Sequence, residues 1–122
     1  MVVDKLIEVV SPLVNNKMFR QGSLTENDKY PELFATFWEN ESNDGNHYDN
    51  KIIASYDYNF DLNIYGSDVE LVYETMEKAI SALRENNFIV NGKGFDIESD
   101  EPNYIGRHIE VLYFEREVKD NG

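Results

Sequence analysis

The chain has 122 residues, of which 41% are hydrophobic and 13% aromatic, a length and composition that suit one domain with a real core and leave little room for two. Its formal net charge is −13, from 24 acidic against 11 basic residues, so its surface repels phosphate and argues against sequence-specific nucleic-acid binding and against anionic membranes. There is no cysteine, which excludes disulfides, thiolate metal sites and a cysteine nucleophile.

At the start, Val2, Val3, Leu6, Ile7, Val10, Leu13 and Val14 recur with the spacing of one helical face, and Pro12 is placed to end or kink that helix. Asp4, Lys5 and Glu8 interrupt the apolar run and no basic stretch precedes it, unlike a signal peptide. No segment approaches the roughly 18 apolar residues of a membrane span, so the expected setting is solution in a cytoplasm. "NNKMFRQGSLTENDKY" reads as a loop, with Met18 and Phe19 as short anchors onto the core. "PELFATFWEN" (31–40) reads as a strand. Leu33, Ala35 and Phe37 fall on one side of it, Phe34, Thr36 and Trp38 on the other.

Residues 41–50 carry nothing apolar except Tyr48 and contain Asn-Asp-Gly, the composition of a mobile acidic hairpin tip. A long strand is expected from about residue 51 to residue 65. Ala54, Tyr56, Tyr58, Phe60, Leu62 and Ile64 alternate there with Ser55, Asp57, Asn59, Asp61 and Asn63. Ser67-Asp68-Val69-Glu70 has the form of a capping box, with Ser67 as the cap. Val69, Val72, Met76, Ala79, Ile80 and Leu83 then line one face of a helix running to about residue 87. "FIVNGKGFDIESDE" predicts a strand pair or a bulged strand with a tight turn at Asn91-Gly92. "YIGRHIEVLYFEREV" (104–118) is the last strand, with Ile109, Val111 and Tyr113 on one face and Glu110, Leu112 and Phe114 on the other; 119–122 is a frayed tail. The expected architecture is α+β in one domain spanning 1–122: a single antiparallel β-sheet of about four strands with two helices packed on one face, in the order α-β-β-α-β-β.

Catalytic chemistry finds little support. His47 with Asp44 and Asp49 lies in a polar loop, but its spacing matches no ligand pattern. "NGKG" (91–94) is glycine-rich with a lysine, yet lacks the strand–loop–helix setting that phosphate cradles use, and reads as a turn. No nucleophile elbow, phosphate loop or zinc-protease motif is present. A non-enzymatic protein with no cofactor and no metal is expected.

A strand after a proline ("PELFATFWEN"), a long alternating strand running into a helix ("ASYDYNFDLNIYG" then "SDVELVYETMEKAISALRENNFIV") and a closing "PNYIGRHIEVLYFERE" together resemble the small tail-completion proteins of tailed bacteriophages, the tail terminator and head–tail joining family. The resemblance covers about residues 20–118. It rests on the strand-into-helix passage at 56–83, on Leu83, Asn86 and Phe88 at the helix exit, and on the strand after Gly106. The acidic 41–50 loop is a departure from that layout. The resemblance implies a virion protein assembled in the host cytoplasm. It implies a homo-oligomer, commonly a hexameric ring at the head-proximal end of the tail tube. Such a ring contacts the tube protein and the head connector or stopper, and DNA passes through it without specific binding.

The polar face of the long strand becomes the candidate site under that reading. Asp57, Asn59, Asp61 and Asn63 are short and polar, and either meet water or form a subunit interface or channel wall; Arg107 and His108 join them as interface or channel candidates. The competing reading is an acidic regulator or inhibitor that mimics DNA charge and occupies a nucleic-acid-binding partner. Such a mimic needs its acids ordered along one continuous face, whereas here they also crowd 41–50 and Asp96, Glu98, Asp100 and Glu101.

Overall fold

The computed structural model describes residues 2–23, 30–40 and 58–114. The 41–50 loop, His47, the first part of the long strand including Asp57, and the 119–122 tail lie outside the described residues. Helix α1 spans Val2–Val10 and buries Val2, Leu6 and Val10, residues four apart on one face. Pro12 lacks the N–H an α-helix needs, and the chain tightens into a 3-10 turn over Ser11–Val14. Asn15 and Asn16, both at positive φ, turn the chain out of it.

Among the described residues six strands form one sheet: β1 (Met18–Arg20), β2 (Leu33–Asn40), β3 (Tyr58–Gly66), β4 (Ile89–Val90), β5 (Phe95–Glu98) and β6 (Ile105–Tyr113). Their order is β1-β2-β3-β6-β4, with β5 also on β6. The expectation of about four antiparallel strands is therefore corrected in two ways. Met18–Arg20 is a strand rather than a loop, although Met18 packs against the core as expected, and it pairs parallel to β2, with Met18 opposite Ala35. The connection over 21–32 carries the chain back to the end where β1 began; a tight hairpin would have forced the antiparallel sense, whereas a link of about a dozen residues allows the parallel one. Bonds from Ala35 N to Lys17 O (2.9 Å) and from Gln21 N to Phe37 O (2.8 Å) continue this pairing at both ends.

The second correction lies at the opposite edge and concerns the strand count. Of the two forms expected there, a strand pair or a bulged strand, the bulged strand is the one found, as two short segments, and Asn91-Gly92 closes no hairpin between β4 and β5. Both segments pair antiparallel with β6, β4 at Val111 and Leu112 and β5 at Ile105 to His108. Gly92 and Gly94, at φ +79° and +84°, lift the chain off the edge between them and return it. A Cβ on Gly94 would run into the His108 carbonyl oxygen.

Helix α2 spans Val69–Glu85. Its N-cap is Asp68 rather than Ser67: the Asp68 carboxylate accepts from Glu70 N (3.1 Å) and Leu71 N (3.3 Å). Val72, Met76, Ala79, Ile80 and Leu83 face inward, with Leu6, Val10 and Val14 from the N-terminal helical segment, whereas Val69, expected on the same face, lies in the first turn and is exposed. Both sets pack on one side of the sheet, against Leu33, Ala35, Phe37, Phe60, Leu62, Ile64, Ile109 and Val111. The period of two in β3 thus sends Phe60, Leu62 and Ile64 into the core and turns Asn59, Asp61 and Asn63 to the other face.

Candidate functional site

The second face of the sheet is covered by no helix among the described residues, and antiparallel register aligns its side chains in cross-strand rows. Thr36, Asn63 and His108 form one row, Trp38, Asp61 and Glu110 the next, and Asn40, Asn59 and Leu112 the third. Residues directly opposite stand close enough to bond, and here they do. Asn63 Nδ2 donates to Thr36 Oγ1 (3.3 Å), and its Oδ1 lies 2.7 Å from His108 Nδ1. Because the amide nitrogen of Asn63 is committed to Thr36, the network assigns the His108 Nδ1 proton to the Asn63 carbonyl. His108 Nε2 then faces Asp61 Oδ1 at 3.7 Å. One row on, Asn59 Nδ2 donates to Glu110 Oε2 (3.0 Å), and Asn40 Nδ2 donates to Asn59 Oδ1 (3.4 Å).

The asparagines of this ladder are not solvated: Asn59 is 9% exposed and Asn63 6%. Their neighbours close over them, and each is kept there by its bonded partners, as a buried amide requires. Asp61 and Glu110 remain within reach of water. Around the ladder stand exposed apolar side chains. Trp38 is 47% exposed and Phe95 58%, with the Phe95 ring 4.9 Å from the His108 ring.

Toward one end the face becomes aromatic. Phe34 and Tyr65 stack at 5.2 Å, Tyr30 lies 5.4 Å from Phe34, and Tyr104 donates its hydroxyl to Tyr30 O (3.1 Å). Gly106 makes room for this, since a Cβ there would stand 2.6 Å from the Tyr65 ring. A hollow of about 260 Å³ opens beside the cluster, lined by Tyr30, Phe34, Thr36, Tyr65, Glu98 and Asp100. Burial, then the charge of Asp100 and then Tyr30, push the Tyr65 phenol above its ordinary value.

The structure therefore brings together Asn59, Asp61, Asn63 and His108 of the predicted candidates, and leaves Arg107 apart. Arg107 has the parity of Ile109, points to the helix side, and pairs with Asp96 at 2.8 Å. Thr36, Asn40 and Glu110 were not singled out from the sequence, although their alternation with apolar neighbours placed them on this face. Among the described residues no group of three or more His, Asp or Glu side chains is placed to hold a metal ion. Thr36 Oγ1 accepts the hydrogen bond of Asn63 Nδ2, and the Nδ1 of His108 is committed to the carbonyl of the same amide. The arrangement is a bonded polar centre inside an apolar rim. A comparison with protein-family models and with curated proteins finds no match for the chain. No helix of the described residues is long and apolar enough to cross a membrane.

Proposed function

We propose that this chain is a structural assembly protein, a phage or prophage tail-completion subunit that closes into a homo-oligomeric ring at the head-proximal end of the tail tube. In that role it stops tube growth and meets the head connector, and DNA passes through without specific binding. The observation that carries the reading is the helix-free sheet face, where exposed Trp38 and Phe95 rim an internally bonded Asn59–Asp61–Asn63–His108 ladder. Aromatic side chains with few rotamers, set around polar groups whose bonds are already made, are the composition of a protein contact surface. The layout resemblance of the strands and of α2 supplies the tail-completion role, and the charge of −13 suits a wall along which DNA must slide.

The test combines electron microscopy of phage particles with Trp38→Asp and Phe95→Asp variants. Rings at the tail end, lost in the variants while their isolated melting midpoints hold, are the expected result. Normal tails from both variants would show that this face meets only water. Capture of a nucleic-acid-binding protein by the wild type, without assembly, would instead favour a DNA-charge mimic.

A further inference from the structure

On the helix side of the sheet, at the β4/β5 edge, a cavity of about 470 Å³ lies between α2 and the turn that joins β4 to β5. Met76 and Ile80, both core residues, line its apolar part, and Arg84, Lys93 and Arg107 supply its charge. These are three of only 11 basic residues in a chain of net charge −13, brought from a helix, a turn and a strand to one concavity. Among the described residues that line it, Glu77 is the one carboxylate.

The cations are aimed. Arg84 donates from Nε (3.1 Å) and Nη2 (2.6 Å) to Val90 O, and from Nη2 to Gly92 O (3.4 Å). Its partners are neutral carbonyls, so they orient the fork without cancelling its charge. Arg107 donates from Nη2 to Lys93 O (3.2 Å), pairs through Nη1 with Asp96, and lies 5.1 Å over the Tyr73 ring. Asp96 also accepts the Tyr73 hydroxyl at 2.9 Å, which divides its charge between two partners. The Lys93 side chain has no bonded partner among the described residues and is exposed on the turn.

We propose that this cleft binds an organic oxyanion, its carboxylate or phosphate group held by Arg84, Lys93 and Arg107 and its apolar body laid on Met76 and Ile80. The volume falls within the roughly 300–1,000 Å³ of small-molecule sites, and an apolar floor with a few convergent polar groups is their usual composition. The carbonyls and Asp96 take part of each guanidinium, and the N–H groups they leave, among them Nη1 of Arg84 and Nε of Arg107, are charge-assisted donors for an oxyanion. The glycine-rich Asn91-Gly92-Lys93-Gly94 turn contributes here through one lysine and through carbonyls that orient two arginines, not through a nest of backbone amides. The site is independent of the assembly reading and stands or falls without it.

The experiment is a titration of the purified chain with phenyl phosphate and with benzoate at fixed ionic strength, followed by amide and arginine-Nε nuclear magnetic resonance shifts. Sodium chloride and benzyl alcohol serve as the charge-only and body-only probes. Binding predicts saturable shifts at Gly92, Lys93, Gly94 and Arg84 Nε with at least one of the two anions, and a melting midpoint that rises with its concentration. Saturation with phenyl phosphate alone identifies a phosphate site, and with benzoate alone a carboxylate site. Lys93→Gln should weaken binding roughly tenfold, the loss of one charge-assisted contact. Lys78→Gln, on α2 outside the cleft, should leave it unchanged. If Lys93→Gln lowers the melting midpoint by itself, Ser81→Asp, which puts a negative charge on the cleft wall away from the turn, should weaken binding by at least as much. Non-saturating shifts like those in sodium chloride, benzyl alcohol binding as tightly as the anions, or undiminished binding by both cleft variants would overturn the proposal.

Discussion

At the scale of single residues, the buried amides are the exacting positions. Asn63 serves Thr36 on one side and His108 on the other, from a position 6% exposed. Asn63→Leu keeps most of the volume but leaves both partners without their bond, and should cost about 1–3 kcal/mol in urea unfolding. Asp61→Asn, at a half-buried position beside His108, should stay within roughly 0.5 kcal/mol. If both substitutions cost the same small amount, the ladder is surface decoration. Asp96 gives a pH prediction. Its bond from Tyr73, then its bond from Arg107, hold its carboxyl below the ordinary carboxylate value. A depressed folded pKa contributes stability that is present above the unfolded value and lost as pH falls through the folded one. Carboxyl-carbon resonance titration should therefore place Asp96 below the exposed carboxylates, and Tyr73→Phe should move it back toward them.

At the scale of elements, α2 carries the core and its two ends behave differently. Leu83 is fully buried between helix and sheet, so Leu83→Ala should cost about 2–5 kcal/mol through the cavity it opens. An unchanged melting midpoint would mean that this face is not core. At the start of the helix, Asp68→Ala should cost about 1 kcal/mol, and Ser67→Ala much less, because the Asp68 carboxylate is the group that accepts the free amides of Glu70 and Leu71. At the far end, Arg84 ties the last turn of α2 to Val90 O, so helix and edge strand are joined by a side chain as well as by the core.

At the scale of the whole molecule, charge and surface oppose one another. Copies of a chain of net charge −13 repel one another, while exposed Trp38 and Phe95 on the sheet face would gain from contact. Salt screens charges separated by more than a Debye length, about 8–10 Å at physiological salt, and so weakens the repulsion without removing apolar contact. Self-association of the purified chain, followed by sedimentation, should therefore strengthen as salt is raised. Association that weakens with salt would point to attractive ion pairs as the main contact and away from the aromatic rim.

Local pattern alone was enough for the elements whose signal is periodic. The 3.6-residue spacing of α2 and the alternation of Phe60, Leu62 and Ile64 gave both the elements and their inward faces, apart from Val69 in the first turn of α2, because burial on one side imposes the same period on sequence and structure. The same alternation put Asn59, Asp61, Asn63 and His108 off the core. It could not show that Asn59 and Asn63 are closed over, since that depends on which residues stand opposite them on β2 and β6. Strands as short as Met18–Arg20 and Ile89–Val90 contain too few residues to show a period, and only their partners make them strands. The parallel sense of β1, the choice of Asp68 over Ser67 as cap, and the meeting of Arg84, Lys93 and Arg107 at one cleft were likewise decided in three dimensions. Each depends on where distant or competing groups come to lie, and a one-dimensional pattern carries no distance across the fold.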